Sequence, residues 1–266
     1  MSLLPPETEW VCPQSYPDLS RYKEIAIDLE TCDPELTTKG SGWPVGNGYV
    51  IGVSVAVEGN QWYFPIRHEN GPNLDVKATF RWLKDVVSVD RDYVFHNASY
   101  DIGWLLHEGV LVSGRIVDTM VVAPLLNENR FSYALNALGK DYLGERKDER
   151  ELRAAAAEFG LNPKSEMYKL PAHYVGAYAE QDAALTLKLW FLFKKLIVEE
   201  DIQDIFELEL KVLNVTIPMR KKGVRVDIER AEELKNILQG KEETILSKVQ
   251  KDYGTSVDLW AAASIA

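Results

Sequence analysis

The sequence has few of the residues that build disulfide frameworks, zinc sites or membrane anchors. Of its 266 residues only two are cysteines and four are histidines, and the histidines lack a metalloprotease-type zinc spacing. Two cysteines are too few for a disulfide framework and predict a reducing compartment. No apolar run approaches the roughly 18 residues of a membrane span, and the start MSLLPPETEW lacks the basic and apolar regions of a signal peptide. We therefore expect a cytoplasmic protein with no membrane partner, and not a secreted one.

An excess of positive charge is also absent. Lysine and arginine number 30 against 41 aspartates and glutamates, for a net charge of −11. This balance argues against a protein that coats nucleic acid by neutralising phosphates, but it leaves open an enzyme that grips a few nucleotides through metal ions. The hydrophobic content of 46% and charged content of 27% are typical of globular proteins.

The order of predicted elements indicates an α/β fold. Residues 1–20 contain four prolines and predict an extended N-terminal arm. Three strands, then alternating strand and helix, then helices predict a mixed sheet flanked by helices over residues 21–200. Residues 201–266 predict a helical appendage, and the run GERKDERELR is interpreted as a charged helical surface.

Two carboxylates follow the short apolar strand Ile25–Ile27 in the stretch IAIDLETC. Because a strand alternates its side chains with a period of two, Asp28 and Glu30 point to the same face at the predicted strand end. Asp-x-Glu occurs three times in this chain, and the other two instances match a turn and a helix start, so this pair alone is weak evidence of a site.

Two further spacings strengthen the signal. Asn97 and Asp101 stand four residues apart across a predicted strand-to-helix junction, where Asn97 is a candidate N-cap. Tyr178 and Asp182 are at i and i+4 of a predicted helix and so project from one face. Glu180 should lie on the opposite, solvated face of that helix.

In this order the motifs resemble those of the DEDD exonucleases, in their tyrosine-containing branch. The most similar group is the 3′–5′ exonuclease domain of family A, DNA polymerase I-like, DNA polymerases. The first motif matches Asp28 and Glu30, the second Asn97, Tyr100 and Asp101, and the third the Tyr178/Asp182 pair. The resemblance implies a ribonuclease-H-like fold. It also extends to residues 201–266, which resemble the start of a polymerase thumb, although no finger or palm motif follows.

The resemblance implies a metal-dependent DNA exonuclease. It would hydrolyse DNA from single-stranded or frayed 3′ ends to nucleoside monophosphates, in proofreading, at the nucleoid or replication site, with a polymerase or replisome component as a further partner. Two divalent ions, Mg²⁺ or Mn²⁺, prefer carboxylate oxygens and stabilise the attacking and leaving oxygens of such a reaction. The residues with implied roles are the metal ligands Asp28, Glu30, Asp101 and Asp182, the water-orienting Tyr178, and Leu29, Thr31, Asn97 and Tyr100 around the 3′-terminal nucleotide.

Alternatives remain open at this point. Ribonuclease D shares the three motifs and trims RNA, and a degenerate domain could bind nucleic acid without cleaving it. The chain could be part of a longer polymerase or a free-standing exonuclease. His96 lies in the wrong motif for the histidine of the sister branch and is interpreted as a packing or hydrogen-bonding residue, and Asp118 as a structural one.

Overall fold

The computed structural model describes residues 8–261 and contains a five-stranded sheet with helices around it. The strands are β1 Glu24–Cys32, β2 Tyr49–Val57, β3 Asn60–Pro65, β4 Asp92–Phe95 and β5 Arg115–Asp118. The helices are α1 Leu36–Lys39, α2 Val76–Val87, α3 Ala98–His107, α4 Thr119–Leu126, α5 Leu135–Leu138, α6 Arg150–Glu158, α7 Gly176–Glu199, α8 Gln203–Lys222 and α9 Ile228–Tyr253. Short helical turns of other types lie at Gly139–Leu143, Met167–Lys169 and Ala172–Tyr174.

The sheet is mixed, in the order β3-β2-β1-β4-β5. β1 is antiparallel to β2, and β2 to β3, while β1/β4 and β4/β5 are parallel. Antiparallel neighbours can be joined by a tight hairpin, whereas parallel neighbours need a longer crossover, and this chain contains one clear example of each. A Glu58-Gly59 turn links β2 to β3, with Gly59 at a φ of 83°, whereas α3 lies between β4 and β5. The predicted α/β class with a mixed sheet and flanking helices is confirmed.

The first strand is longer than the sequence predicted, and this changes where the two acids lie. β1 continues to Cys32, so Asp28 and Glu30 sit inside the strand and not at its end. Pairing between β1 and β4 stops at Ala26, opposite Val94, while pairing with β2 continues past the acids. The acidic segment therefore lies at the carboxyl end of β4, where β1 has a free side. The register with β2 shifts between Glu30 and Thr31, in a bulge-like irregularity.

Helix α7 covers the sheet and supplies the third motif. Its buried residues include Leu189, Trp190 and Phe193, which belong to the same apolar core as Ile25 and Ile27 of β1. The helix packs against β1, β2 and β3. Residues 8–20 of the predicted arm form neither helix nor strand, and residues 1–7 lie outside the described part. The arm is held to the body by contacts such as the stacking of Tyr16 on Trp82, at 5.2 Å between ring centroids.

The contacts divide the chain into two compact units, one through Lys222 and one from Gly223. Helix α8 belongs to the first unit, because Phe206, Leu210, Leu213 and Ile217 are buried in the main core. The first unit thus extends past the predicted boundary at residue 200. This difference arises because the amphipathic pattern of α8 identifies an apolar face but not its partner.

The second unit consists mainly of α9 in the described residues. The carboxylate of Asp227 accepts a hydrogen bond from the N–H of Arg230 at 3.0 Å and caps the helix start, and Gly254 with a φ of 69° ends it. Residues 262–266 of the predicted thumb-like segment lie outside the described part. Among the helices of residues 8–261, none is long and apolar enough to cross a membrane.

Candidate active site

Three of the predicted ligands converge. Asp28 and Glu30 of β1 and Asp182 of α7 each place one carboxylate oxygen within 4.8 Å of the others. Asp182 is buried, and its Oδ1 has no hydrogen-bond partner among residues 8–261. Because a buried, unpaired carboxylate oxygen is costly, this arrangement fits a site that holds a cation. An all-oxygen ligand set is the kind that Mg²⁺ and Mn²⁺ prefer.

Asp101 lies beside this group but outside it. Its Oδ1 accepts a hydrogen bond from the backbone N–H of Leu29 at 3.0 Å, and its side chain is buried. Leu29 lies beyond the last residue of β1 that pairs with β4, so the carboxylate takes the place of a missing strand partner. Asp101 therefore ties α3 to β1, and its assignment as a metal ligand rests on its second oxygen.

The crowding of these acids shifts their ionisation. Burial, and then the charge of Asp182, raise the pKa of Asp28 to about 7, although Lys147 acts in the opposite direction. Burial followed by the charge of Asp28 raises the pKa of both Glu30 and Asp101 well above the ordinary range. The four carboxylates cannot all be charged without a compensating cation.

Lys147 supplies one such cation, and the sequence analysis missed it. Its ammonium forms an ion pair with Oδ2 of Asp182 and donates a hydrogen bond to the hydroxyl oxygen of Tyr178 at 3.0 Å. Burial acts to lower the pKa of Lys147, but the contact with Asp182 outweighs it and the pKa is raised. Lys147 belongs to the run GERKDERELR, which was wrongly interpreted as helical throughout, because the helix begins only at Arg150. No spacing in the sequence links this lysine to the third motif.

Three of the four expected substrate-binding residues, Leu29, Thr31 and Tyr100, are immediate neighbours of the acids along the chain. The hydroxyl groups of Thr31 and Tyr100 are 2.6 Å apart and share a hydrogen bond. Asn97 is exposed, in the left-handed conformation with a φ of 72°. Leu29 is buried and its N–H is already donated to Asp101, so only its carbonyl or side chain could contact a nucleotide.

The prediction that Asn97 caps α3 is wrong. Asn97 occupies the N-cap position, but its side chain makes no capping hydrogen bond. Asp118 at the end of β5 caps the helix instead. The carboxylate of Asp118 accepts the N–H groups of Asn97 and Ala98, at 2.9 and 2.7 Å, and that of Met120 at 2.9 Å. It thus caps both α3 and α4, and its structural interpretation is confirmed.

Two other interpretations have different outcomes. His96 hydrogen-bonds through Nδ1 to Thr119 Oγ1 at 2.9 Å, and burial lowers its pKa to about 4, so it is a neutral structural residue. Glu180 was wrongly predicted to be solvated. Its Oε1 accepts the indole N–H of Trp10 at 2.7 Å and the backbone N–H of Tyr63 in the edge strand β3 at 3.0 Å. The face of α7 opposite Tyr178 is therefore covered by the N-terminal arm and β3.

Comparison with known proteins gives the family. A family model described as 3′–5′ exonuclease matches residues 16–198. A DNA-directed DNA polymerase of Pseudomonas phage M6 is 34% identical over an alignment of 271 positions. The alignment covers 97% of this chain and 40% of the relative. The chain belongs to the 3′–5′ exonuclease family of family A DNA polymerases. The DNA polymerase DpoZ of Salmonella phage PMBT28 is 32% identical over 223 residues, covering 81% of this chain and 33% of that protein. This exonuclease-family chain thus spans well under half the length of these relatives.

Solved structures support the same fold. The POL domain of Pol1 from M. smegmatis, in complex with DNA primer-template and dNTP, has a TM-score of 0.67 at 14% identity, over 92% of this chain and 37% of that chain. Brucella melitensis NrnC with bound Mg²⁺ has a TM-score of 0.54 at 15% identity, over 78% of this chain and 88% of that chain. At these identities the likeness concerns the fold alone, and it places this exonuclease-family chain among ribonuclease-H-like domains.

Proposed function

We propose that this chain is a metal-dependent 3′–5′ exonuclease that hydrolyses DNA to nucleoside monophosphates and serves in proofreading. The observation that carries the proposal is the convergence of Asp28, Glu30 and Asp182, where the buried Oδ1 of Asp182 has no hydrogen-bond partner in the described part of the chain. A carboxylate cluster of this kind is a costly arrangement in the absence of a cation.

The carboxylates fit a divalent ion where Asp28, Glu30 and Asp182 converge, and a second ion is part of the proposal. Asp28, Glu30 and Asp182 would hold one ion, and Asp28 with the second oxygen of Asp101 would hold another. When bound, such ions supply the positive charge that stabilises the attacking and leaving oxygens of phosphodiester hydrolysis.

The other side chains act on the substrate and the water. Tyr178 keeps its hydroxyl group protonated, since burial and then the charge of Glu30 raise its pKa well above the ordinary value. It can therefore donate a hydrogen bond to the attacking water and orient it. The linked hydroxyls of Thr31 and Tyr100, together with Asn97, would hold the sugar and base of the 3′-terminal nucleotide.

DNA is the favoured substrate because the relatives whose names are given above are DNA polymerases. The helical segment from residue 201, which resembles the start of a polymerase thumb, supports the same choice. The two alternatives, an RNA-trimming enzyme and an inactive nucleic-acid-binding domain, are outcomes of the test below. A polymerase or another replisome component would be the protein partner.

The test uses single-stranded DNA and RNA of the same sequence, labelled at the 3′ or the 5′ end, with Mg²⁺, Mn²⁺ or EDTA. We expect release of 3′-labelled mononucleotides from DNA, faster from single strands than from paired ends, because a paired terminus must first be melted. Faster loss of RNA would favour the ribonuclease D-like function, and binding without cleavage the inactive domain. Release from the 5′ end, or full activity in EDTA, would refute the proposal.

Substitutions separate the ligands from the water-orienting residue. Asp28→Ala and Asp182→Ala should each reduce the rate by several orders of magnitude, on the order of 10³-fold or more, because each removes a direct ligand. Tyr178→Phe keeps the ring and should cost less, about 10–10³-fold. Asp85→Ala, at an exposed position of α2, is the matched control and should leave the rate unchanged. Equal losses for Tyr178→Phe and Asp28→Ala would contradict the role given to the tyrosine.

A further inference from the structure

Lys147 is the one cation of the described residues that an ion pair ties to the carboxylate cluster. Its ammonium contacts Oδ2 of Asp182 and the hydroxyl oxygen of Tyr178, and lies 4.7 Å from the centre of the Tyr178 ring. Only 14% of its side chain is exposed. A lysine held this way is part of the site and not a solvated surface charge.

Three hydrogen bonds from two residues hold the backbone around Lys147. The side-chain oxygen of Gln181, the neighbour of Asp182 on α7, accepts the N–H of Asp148 at 2.6 Å, and its amide group donates to the carbonyl of Arg146 at 3.1 Å. The N–H of Lys147 itself donates to Oδ1 of Asn136 at 3.1 Å. The irregular segment before α6 is therefore clamped to the same helix that carries the third motif. This clamp limits where the ammonium can go.

The two oxygens of Asp182 are used differently. Oδ2 is occupied by the ammonium, whereas Oδ1 is buried and has no partner among residues 8–261. The oxygen and the hydrogen of the Tyr178 hydroxyl group also have separate roles. Its oxygen accepts from Lys147, and its single hydrogen can be donated to the neighbouring Asp182 carboxylate or to another oxygen, such as that of a water.

We propose that Lys147 is a positioning residue: its ammonium holds Oδ2 of Asp182 and the hydroxyl oxygen of Tyr178, so that Oδ1 faces the metal position and the tyrosine acts as a hydrogen-bond donor to the attacking water. This inference rests on the proposed exonuclease function and deepens it. Lys147 acts through Asp182 and Tyr178 and does not itself contact the reacting atoms.

The first test is a double-mutant cycle with Lys147→Met, Tyr178→Phe and the double variant, on single-stranded DNA with Mg²⁺. If the lysine acts through the tyrosine hydroxyl, each single change lowers kcat by about 10–10³-fold with KM nearly unchanged. The kcat of the double variant should then be within about threefold of that of the less active single variant, because two changes that remove the same interaction do not have additive effects. Arg146→Met, at the exposed neighbouring position, is the control and should leave kcat unchanged.

The second test needs neither metal nor activity. In EDTA, Lys147→Met should have a lower melting temperature than the wild type, because Asp182 loses its ion pair with Lys147 while the neighbouring carboxylates remain. Lys147→Arg should restore most of the melting temperature, since it keeps the charge. It should not restore kcat, because the larger, planar guanidinium does not place a single nitrogen on both partners as the compact ammonium does.

Three results would overturn the inference without refuting the proposed function. Losses in kcat that multiply in the double variant would mean that the lysine acts independently of Tyr178. A raised KM with unchanged kcat would make it a phosphate-binding residue. If Lys147→Met has the same melting temperature as the wild type in EDTA, the ion pair with Asp182 does not stabilise the site. An inactive wild type would refute the proposed function and the positioning role together, whereas the melts in EDTA would still decide whether the lysine pairs with Asp182.

Discussion

Removing one charge from the carboxylate cluster should stabilise the metal-free protein. Asp28→Asn is the sharpest such change, because Asp28 is flanked by acids from two elements and its pKa is raised from an ordinary 3.8 to about 7. Asparagine has almost the same shape and no charge. The same change should abolish exonuclease activity, because the residue is a proposed metal ligand.

The size and the pH dependence follow from this shift. A pKa that is higher in the folded than in the unfolded protein means that folding favours the protonated acid. The contribution of Asp28 to the free energy of unfolding therefore falls as pH rises from about 4 to about 7 and is level above. At about 1.4 kcal/mol per pH unit, the full effect at pH 8 is at most about 4 kcal/mol. Because a buried amide also loses hydration, we expect a gain of about 1–3 kcal/mol. For a domain of this size, that corresponds to a rise of roughly 2–12 °C in melting temperature.

Thermal melts of the two proteins at pH 5 and pH 8 make the measurement, each in EDTA and in Mn²⁺. In EDTA, Asp28→Asn should melt above the wild type at pH 8 and by a smaller margin at pH 5, where the wild-type carboxyl is mostly protonated. In Mn²⁺ the wild type should gain more stability than the variant, because only its ligand set is complete. Asp85→Asn, at an exposed position, should follow the wild type throughout. If Asp28→Asn has a lower melting temperature than the wild type in EDTA at pH 8, the charged carboxylate of Asp28 does not destabilise the fold and the reasoning is wrong.

Three other predictions follow. Glu180→Ala leaves two donors unpaired, the indole of Trp10 and the backbone N–H of Tyr63, and should cost about 2–4 kcal/mol of stability in a thermal melt; an unchanged melting temperature would show that water replaces the carboxylate. Asp118→Ala should lower the melting temperature through the loss of about 2 kcal/mol or more of helix capping, and should also lower activity because Asn97 is released; a fully active, equally stable variant would contradict the capping role. In a primer-extension assay with all four deoxynucleotides, the chain should only shorten the primer, and any longer product would reveal a polymerase site that the motifs do not show.

Some of the candidate site could be predicted from the sequence because it depends on local geometry. The common face of Asp28 and Glu30 follows from the strand period of two, and that of Tyr178 and Asp182 follows from the helix period. The sequence did not predict where β1 ends. β1 continues to Cys32 because it keeps pairing with β2 after its pairing with β4 has ended. The residues of β1 themselves do not indicate that the two neighbours pair over different lengths.

The residue types, the spacing of the motifs and the α/β order of elements were determined by the sequence alone, since each depends on neighbours within a few positions. Only the tertiary structure decided that Lys147 reaches Asp182, that Asp118 caps α3 in place of Asn97, and that Glu180 closes the edge of β3. In each of these cases a charged side chain pairs with a group far away along the chain. The sequence pattern of a charged residue is the same whether it ends in water or in a buried pair, because the partner that makes the difference is supplied by the fold.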